Sequence, residues 1–343
     1  MSDQPNAPGN APVKDGEYVA VSVRASGIHP KTARMVALGV QVFTADGTVH
    51  KTWHSTFTIG EDPGPEHLHN LRPEDLHNSP RFASKLREVC NLIDGRTVVA
   101  HHSPMVWGFI VEEARRARVA ANRKNRGRRD RGRSRKRGGR PPRPSAVVDT
   151  LATARIQGTV FSDRRLFAVA RSYGVVAPDP VATVDNIEVL EKDRTIAELN
   201  AVRELFLAQR NDTTHPVLSW APSELRADPV GLQRSAVRVD AMEAPRPVAN
   251  PGRYQPGHAL QTGMEFAIAP EISIPGDTLI AAGVAAGLAY SEKVTRETSV
   301  LVCNQPADIP PDAFTGKAMH AKRKEIPLVA DEAFLRLAAD LQD

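Results

Sequence analysis

The N-terminal part of the chain shows the two-residue hydrophobic period of β-strands. Apolar and polar positions alternate, or valine-rich runs occur, in residues 17–24, 34–43 and 47–58. The turn-forming residues GIHPKT separate the first two segments, and Asp46-Gly47 begins the third. This pattern predicts three consecutive strands in a β-meander.

From Ser79-Pro80 onward the hydrophobic period becomes that of a helix. Apolar side chains recur at helical spacing, at Phe82, Leu86, Val89, Cys90 and Leu92. Further along, the pattern predicts a buried strand at 96–102, a helix at 105–121, a strand leading into a helix at 145–155, and helices at 164–175 and 184–210. We therefore predict an α/β domain over residues 17–212, preceded by a disordered tail at 1–16.

The rest of the chain divides into an irregular stretch and a second, smaller domain. Residues 213–257 are rich in Pro, Ser, Asp and Arg and have no sustained period, which is typical of a partly extended linker. Residues 258–343 predict strands and helices at 264–269, 277–290, 298–303, 315–326, 327–329 and 331–341. We assign these segments to a β-α-β-β-α-β-α order, in which the second strand has no range of its own, and this order indicates a small open α/β sheet.

The composition indicates how many cores the chain can form and which cellular compartment it suits. With 343 residues, 41% of them apolar, the chain can form two hydrophobic cores. Cys90 and Cys303 form no Cys-x-x-Cys pair, which argues against a disulfide framework or a zinc knuckle and favours a reducing compartment. The polar, Pro-rich start does not predict a signal peptide, and no apolar run is long enough to span a membrane. We therefore expect a cytoplasmic protein that binds no membrane.

The positive charge is concentrated in one segment. Residues 115–143 hold 15 of the 45 Lys and Arg and one acid, Asp130, whereas the rest of the chain has 30 bases against 39 acids. Residues 122–144 read NRKNRGRRDRGRSRKRGGRPPRP. They contain no aliphatic or aromatic side chain before Pro141. We expect this insertion to remain extended, because it has nothing to bury and its charges repel each other.

Arginine and glycine interleaved at this density are typical of segments that contact nucleic-acid phosphates. We predict sequence-independent binding of DNA or RNA here. The predicted binding residues are Arg123, Lys124, Arg126, Arg128, Arg129, Arg131, Arg133, Arg135, Lys136, Arg137 and Arg140, with Arg24 added on separate grounds given below. A solvated loop without a partner is the alternative interpretation.

Several strings in residues 17–212 resemble the DEDDh family of 3′–5′ exonucleases, of the proofreading epsilon-subunit type on an RNase H-like fold. They are SVRASG (22–27), HNLRPEDL (69–76), NSPRF (78–82), VVAHH (98–102), VVDTLATAR (147–155) and PVATVDN (180–186). The resemblance implies an RNase H-like α/β domain with a mixed sheet. It also implies a site of four carboxylates that hold two divalent metals, beside a histidine that activates water.

Carried over position by position, most of that site is missing. The two carboxylates of the first strand fall on Ser22 and Arg24, the helix carboxylate on Val106 and the histidine on Pro180, so that only Asp185 remains. A lone carboxylate cannot hold two hard cations, and Arg24 would repel them. We therefore predict a pseudo-exonuclease without a metal or catalytic residues, in which Asp185 is vestigial. Mg or Mn would be needed only if the protein is an active exonuclease with an atypical site.

Other interpretations of the site residues stay open. Arg24 could offer a fixed cation to a phosphate, or it could pair with Asp185 in place of the metal charge. His67, His69, His101 and His102 could form a metal cluster, and Asp149 could complete a single-metal site with Asp185. The sequence favours ordinary structural roles for the histidines, and for Asp149 a role at the start of a helix.

Residues 264–337 resemble a BRCT domain of the bacterial ligase type, through TSVLV (298–302), GKAMHAK (316–322) and DEAFLRL (331–337). The resemblance implies a phosphate pocket, of which Lys317 behind Gly316 is kept while Ala269-Pro270 replaces the Ser/Thr-Gly element. This leaves a weak anion site at Lys317 and favours docking to a protein partner or a DNA end, or a purely structural domain. A scaffold that binds only proteins is the third function considered, beside the pseudo-exonuclease and the active exonuclease.

Overall fold

A computed structural model of the chain describes residues 16–129, 139–158, 163–179, 189–304 and 314–342. The chain separates into two compact units. The first unit contains the described residues between 16 and 153 and between 163 and 234. The second contains residues 154–158 and the described residues from 235 to 342.

The first unit is a mixed sheet with helices on both faces. Its strands are β1 (Tyr18–Ala25), β2 (Met35–Phe43), β3 (Val49–Thr56), β4 (Thr97–Ala100), β5 (Ala146–Asp149) and β6 (Ser219–Trp220). Its helices are α1 (Glu66–His69), α2 (Pro73–Leu76), α3 (Phe82–Ile93), α4 (Ser103–Arg129), α5 (Thr150–Ile156, of which residues 154–156 are assigned to the second unit), α6 (Leu166–Ser172) and α7 (Glu191–Gln209). The strand order is β3-β2-β1-β4-β5-β6, with β1, β4 and β5 parallel and β2 and β6 antiparallel to their neighbours. This mixed α/β sheet agrees with the predicted fold class.

The alternation along β1 determines which side chains face which helices. Val19 and Val21 pack into the core with α3 and α4, whereas Tyr18 and Ala20 pack against α7. Because strand side chains alternate between faces, the next even-numbered residues of β1 also point toward α7. Those residues are Ser22 and Arg24.

Helix α7 crosses the sheet closely at β2. Gly39 is the β2 partner of Ser22, and a Cβ atom at this position would lie 3.0 Å from a methyl of Leu199 and closer still to Thr195. A side chain at residue 39 would therefore push α7 away from the strands that carry the candidate site.

Two predictions about irregular segments are wrong. Residues 219–243, within the predicted linker, form β6, a 3-10 turn (Pro222–Glu224), a ribbon of β7 (Leu225–Ala227) and β8 (Gln233–Ser235), and helix α8 (Ala236–Glu243). These elements are too short to produce a visible hydrophobic period. The division between the units lies at 234/235 instead of near 257.

The basic insertion is also more regular than predicted, because α4 continues to Arg129. Arg, Lys and Asn add to an existing helix at low cost, since the unfavourable nucleation step is already complete within the apolar part of α4. The insertion between 130 and 138 lies outside the described residues, as does the tail at 1–15.

The second unit has a four-stranded parallel sheet in the order β10-β9-β11-β12. Its strands are β9 (Glu265–Ile268), β10 (Ala289–Tyr290), β11 (Val300–Val302) and β12 (Leu328–Val329), and its further helices are α9 (Gly276–Ala285), α10 (Gly316–Arg323) and α11 (Asp331–Asp340). From β9 onward the element order is the predicted β-α-β-β-α-β-α, but β10 lies within residues 277–290, which the sequence predicts as a helix. Helices α9 and α11 pack on one face and α10 on the other. Within the described residues of both units, no helix is long and apolar enough to cross a membrane.

Candidate functional site

Ser22 and Arg24, the β1 residues to which the exonuclease resemblance points, lie in a buried polar cluster between the sheet and α7. Ser22 is buried, and the Arg24 side chain is only 12% exposed. Helix α7 supplies Glu191 and Glu198, which are two turns apart and therefore on the same face of the helix. Their side chains are 4% and 15% exposed. The cluster thus brings one guanidinium and two carboxylates together out of water.

Every carboxylate oxygen in this cluster has a partner. The Ser22 hydroxyl donates to Oε2 of Glu198 at 2.6 Å, and Nη2 of Arg24 lies 2.8 Å from Oε1 of Glu198. The Thr195 hydroxyl donates to Oε1 of Glu191 at 2.6 Å, and Nε of Arg24 lies 3.9 Å from the same oxygen. Among the described residues, neither Nε nor Nη2 of Arg24 finds a hydrogen-bond partner of good geometry, so its contacts are ionic rather than directional.

His54 on β3 completes the cluster. Its Nε2 lies 2.7 Å from Oε2 of Glu191. Burial would raise the pKa of Glu191, but the hydrogen bonds with His54 and Thr195 and the electrostatic attraction of His54 and Arg24 outweigh burial and hold that pKa below its ordinary value of 4.5. Glu191 is therefore a buried anion that its neighbours keep ionised.

These residues do not fit a pair of divalent metals. A metal ion would have to displace Arg24 from Glu198 and His54 from Glu191, and at about 4 Å a guanidinium repels each positive charge by roughly 4 kcal/mol at an effective dielectric constant near 20. Val106 lies in the apolar core with α3 and α4. In the described part of the chain, no group of three or more His, Cys, Asp or Glu is arranged to hold a metal ion. Pro180 and Asp185 lie outside the described residues.

Asp149, at the end of β5, has the structural role that the sequence favours. Its Oδ1 accepts from the backbone N–H groups of His102, Leu151 and Ala152, and its Oδ2 accepts from that of Ser103. The carboxylate therefore satisfies the first turns of both α4 and α5, which is what an N-terminal capping residue does.

The histidines do not form a metal cluster where they are described. His69 uses Nε2 with the Pro63 carbonyl at 2.9 Å and accepts from the Leu71 N–H through Nδ1. His101 uses Nδ1 with the Thr150 hydroxyl and Nε2 with the Arg164 carbonyl. Both nitrogens of each ring are thus occupied by protein groups. The His67 side chain lies outside the described part.

The predicted nucleic-acid contacts fall into three groups. Arg123 and Lys124 are exposed on α4, and Arg126, Arg128 and Arg129 follow on the same helix. Arg140 instead forms an ion pair with Asp94 through both of its terminal nitrogens, and the N–H of Arg143 donates to the same carboxylate at 2.7 Å. The five remaining predicted residues lie outside the described part: Arg131, Arg133, Arg135, Lys136 and Arg137.

In the second unit, Lys317 is engaged by other protein groups. Its Nζ donates to the Ile268 carbonyl at 2.8 Å and lies 3.4 Å from Oε1 of Glu292. The predicted weak anion site therefore already contains a carboxylate of this chain.

Sequence reasoning missed Glu191, Glu198 and His54. The signal for the two glutamates is their seven-residue spacing on a helix with Thr195 between them, which places all three side chains on one face. The contact of this face with β1 could not be predicted without the packing of α7.

No protein-family model matches this chain, and no curated protein matches it. Solved structures of exonuclease I are similar to it. The E. coli enzyme in complex with a dT13 oligonucleotide has a TM-score of 0.39 at 10% identity, over 57% of this chain and 41% of that chain. The apo enzyme has a TM-score of 0.40 at 10% identity, over 59% and 43%, and the product-bound enzyme 0.39 at 10%, over 59% and 45%. The chain thus spans less than half of the length of the exonuclease I chains that it matches.

Proposed function

We propose that this protein is a nucleic-acid-binding pseudo-exonuclease with an accessory role in DNA replication, DNA repair or RNA handling. Its first unit would be an RNase H-like exonuclease domain that has lost two-metal hydrolysis. Its second unit would be a BRCT-type domain that docks to a protein partner or a DNA end. The element order and parallel sheet of the second unit support that assignment.

The position of Arg24 carries the proposal. A carboxylate of the exonuclease family is replaced by a guanidinium, and two glutamates of α7 lie beside it with all four of their oxygens in contact with protein groups. The charge that a metal would bring is supplied by the chain itself. We infer that the first unit keeps the packing of an exonuclease domain but has lost its metal-dependent hydrolysis.

The basic insertion supports the binding half of the proposal. Before the insertion, α4 is anchored by buried Glu113, whose carboxylate accepts from Nε of Arg34 at 2.7 Å and from Nη1 of Arg116 at 2.8 Å. On the other side of the insertion, Asp94 holds Arg140. The residues 123–138, which we call the basic arm, carry ten Lys and Arg and one Asp between these two attachments. A polyanion would contact the arm before the net-negative remainder of the protein.

A salt titration tests the arm. In one variant a Gly/Ser segment of equal length replaces residues 123–138, and Arg140 stays so that its contact with Asp94 is preserved. If about six phosphates are neutralised, log affinity against log salt should have a slope near −4 for single strands and −5 for duplex in the wild type. The Gly/Ser variant should lose most of that slope. A matched control with all ten bases as lysine should keep the slope, because the charge is unchanged.

Equal affinities and slopes in the wild type and the Gly/Ser variant would refute the role of the arm. Binding that requires the arm but prefers an acidic protein to any oligonucleotide would favour a protein scaffold instead.

The second candidate is an active exonuclease with an atypical ligand set. It is favoured by one observation, the presence of two carboxylates and an imidazole beside the β1 positions. The two candidates differ in a nuclease assay on a 3′-labelled single strand with Mg²⁺ or Mn²⁺. We expect no shortening of the strand and no metal-dependent rise in melting temperature. Digestion that co-purifies with the protein and disappears in both Glu191→Gln and Glu198→Gln would establish the second candidate.

A further inference from the structure

Helix α4 continues beyond the core that it helps to form. Of its residues up to 125, Ala114 is the last that is buried, and Ala117 is the last that packs against the core cluster of the first unit. The helix then runs on to Arg129. At 1.5 Å per residue, residues 118–129, which we call the helical extension, are about 18 Å long, or a little over three turns. This length of helix is not needed to pack the core.

The helical extension carries positive charge on all sides. It has six Lys and Arg and no Asp or Glu. Arg118, Arg123 and Lys124 are exposed, and the other three bases are at positions 126, 128 and 129. At about 100° per residue, the six positions are distributed around the whole circumference of the helix. A helix that lies on a flat anionic surface would need its bases on one stripe, whereas bases all round suit a helix with phosphates on both sides.

The arm lacks the side chains that recognise single strands. Tight binding of unpaired nucleotides depends on aromatic side chains on which the bases stack, and residues 115–138 contain no Phe, Tyr, Trp or His. Phosphate contacts from Arg and Lys do not need unpaired bases. The composition therefore favours a double-stranded partner over a single strand.

The dimensions of the helical extension match one groove of B-form DNA. With its side chains an α-helix is about 10–12 Å across, and the major groove of B-DNA is about 12 Å wide and admits a helix between two phosphate backbones. The major groove of A-form RNA is deep and narrow, and side chains cannot read it. Double-stranded RNA therefore does not offer the extension an equivalent groove.

We propose that the helical extension of α4 enters the major groove of duplex DNA, which makes a DNA duplex, rather than RNA or a single strand, the partner of the basic arm. The inference rests on the proposed nucleic-acid binding and specifies its partner. The two walls of the groove supply phosphates to bases on opposite sides of the helix, and phosphate contacts keep the binding independent of sequence. Because the helix must be formed in the bound state, substitutions that change its helicity but not its charge must change the affinity for duplex DNA.

Two charge-neutral substitutions test the proposal in opposite directions. Ala120 is exposed and follows the last core contact, so Ala120→Pro interrupts the helix without leaving a cavity. The bases beyond it are too few to nucleate a helix alone, and we expect the affinity for a short DNA duplex to fall about tenfold or more. Gly127→Ala replaces a poor helix former within α4 and should raise the same affinity about two- to fivefold. Ala120→Gln is the matched control and should leave the affinity unchanged.

The measurement is the fluorescence anisotropy of a labelled DNA duplex, RNA duplex and DNA single strand of the same sequence, titrated with full-length protein at one salt concentration. The wild type should bind the DNA duplex most tightly. The affinity for the single strand should change less than about twofold in either variant, because the charge of the arm is unchanged. Urea denaturation followed by tryptophan fluorescence shows whether each variant keeps the wild-type stability of the first unit.

Equal affinities of the wild type, Ala120→Pro and Gly127→Ala for duplex DNA would overturn the inference, and so would a preference of the wild type for the RNA duplex or the single strand. In both cases the basic arm would still bind nucleic acid as proposed. A Gly/Ser replacement of residues 123–138 that binds like the wild type would instead refute the proposed function itself. If Ala120→Pro destabilises the first unit, the comparison of Gly127→Ala with the wild type decides, with tighter binding of duplex DNA alone supporting the inference and unchanged binding overturning it.

Discussion

The replacement of Arg24 by methionine is the sharpest test of the buried cluster in the first unit. Methionine fills a similar length of side chain and removes the positive charge. Among the described residues, the variant leaves Glu198 with the Ser22 hydroxyl and Glu191 with His54 and Thr195. The negative charges of both carboxylates then remain poorly hydrated, with less positive charge nearby to offset them.

The size of the effect follows from burial and distance. At an effective dielectric constant near 20, the contacts of Arg24 at 2.8 and 3.9 Å correspond to roughly 6 and 4 kcal/mol of Coulomb attraction before the cost of desolvation. Removing one partner of a buried ion pair costs about 3–5 kcal/mol. We expect the lower part of that range, because Glu198 is 15% exposed and can gain some hydration. In a unit of about 200 residues this lowers the melting temperature by about 6–12 °C.

Tryptophan fluorescence makes the assay specific for this unit. All three tryptophans, Trp53, Trp107 and Trp220, belong to the first unit, so their emission during urea denaturation reports that unit alone. The double variant Arg24→Met, Glu198→Gln should be more stable than Arg24→Met, because the uncompensated charge is also removed. Arg115→Met is the matched control. Its exposed pair with Glu112 should contribute less than about 1 kcal/mol.

A cost below about 1 kcal/mol for Arg24→Met would contradict the reasoning. It would mean that water reaches the cluster freely and that Arg24 does not compensate a buried negative charge. A double variant whose loss equals the sum of the single losses would show that Arg24 and Glu198 are not coupled, and the inference that the guanidinium takes the place of a metal charge would fail with it.

Two further predictions concern the unit boundary and pH. A fragment of residues 235–343 should give a cooperative urea transition by circular dichroism, whereas a fragment of residues 258–343 should be clearly less stable. The shorter fragment lacks α8, buried Tyr254, the ion pair of Arg246 with Glu265, and the hydrogen bonds of Asn250 to the 297–299 segment. Equal stability of the two fragments would support a boundary near 257 instead. Because the folded pKa of Glu191 lies below its ordinary value of 4.5, its ionisation stabilises the first unit above that pH and loses this contribution as the pH falls through 4.5 and then through the folded pKa. The stability difference between wild type and Glu191→Gln, measured by tryptophan fluorescence in urea from pH 7 to pH 3.5, should therefore shrink on acidification, and a constant difference would refute the assignment.

Long periodic segments were predictable from the sequence. The five apolar residues assigned to the face of α3 are all buried: Phe82, Leu86, Val89, Cys90 and Leu92. The three N-terminal strands and the element order of the second unit also follow the predicted pattern. In each case many positions agree on one period, so a single deviating residue does not change the prediction.

Short elements and helix extensions were not predictable in the same way. β6 has two residues and β7 and β8 have three each, which is too few to show a period, and their position depends on pairing with distant or neighbouring strands. The charge density of residues 122–129 suggested an extended chain. An established helix continues through such residues because each added one costs little once nucleation is complete.

The sequence identified the β1 positions of the candidate site but not the side chains that contact them. Comparison with the exonuclease motif identified Ser22, Arg24 and Val106 as departures, but the partners of Arg24 come from α7, about 170 residues away in the chain. One sequence-based alternative paired Arg24 with Asp185, which lies outside the described residues, and the observed partners are Glu198 and Glu191. Sequence position alone does not show which face of α7 meets β1.

Both units contain a cluster of side chains in which the chain compensates its own charges. In the first unit, a side-chain cation lies between two carboxylates; in the second, the Glu292 carboxylate lies beside Arg238, Lys317 and the Tyr290 hydroxyl. In each cluster the opposite charges stabilise one another, because unpaired buried charges are costly. If the proposed function is right, stability and nucleic-acid binding depend on different parts of the chain. Changes at Arg24 should act on the free energy of unfolding, whereas changes in the basic arm should act on the salt-dependent affinity for nucleic acid and leave the two cores unaltered.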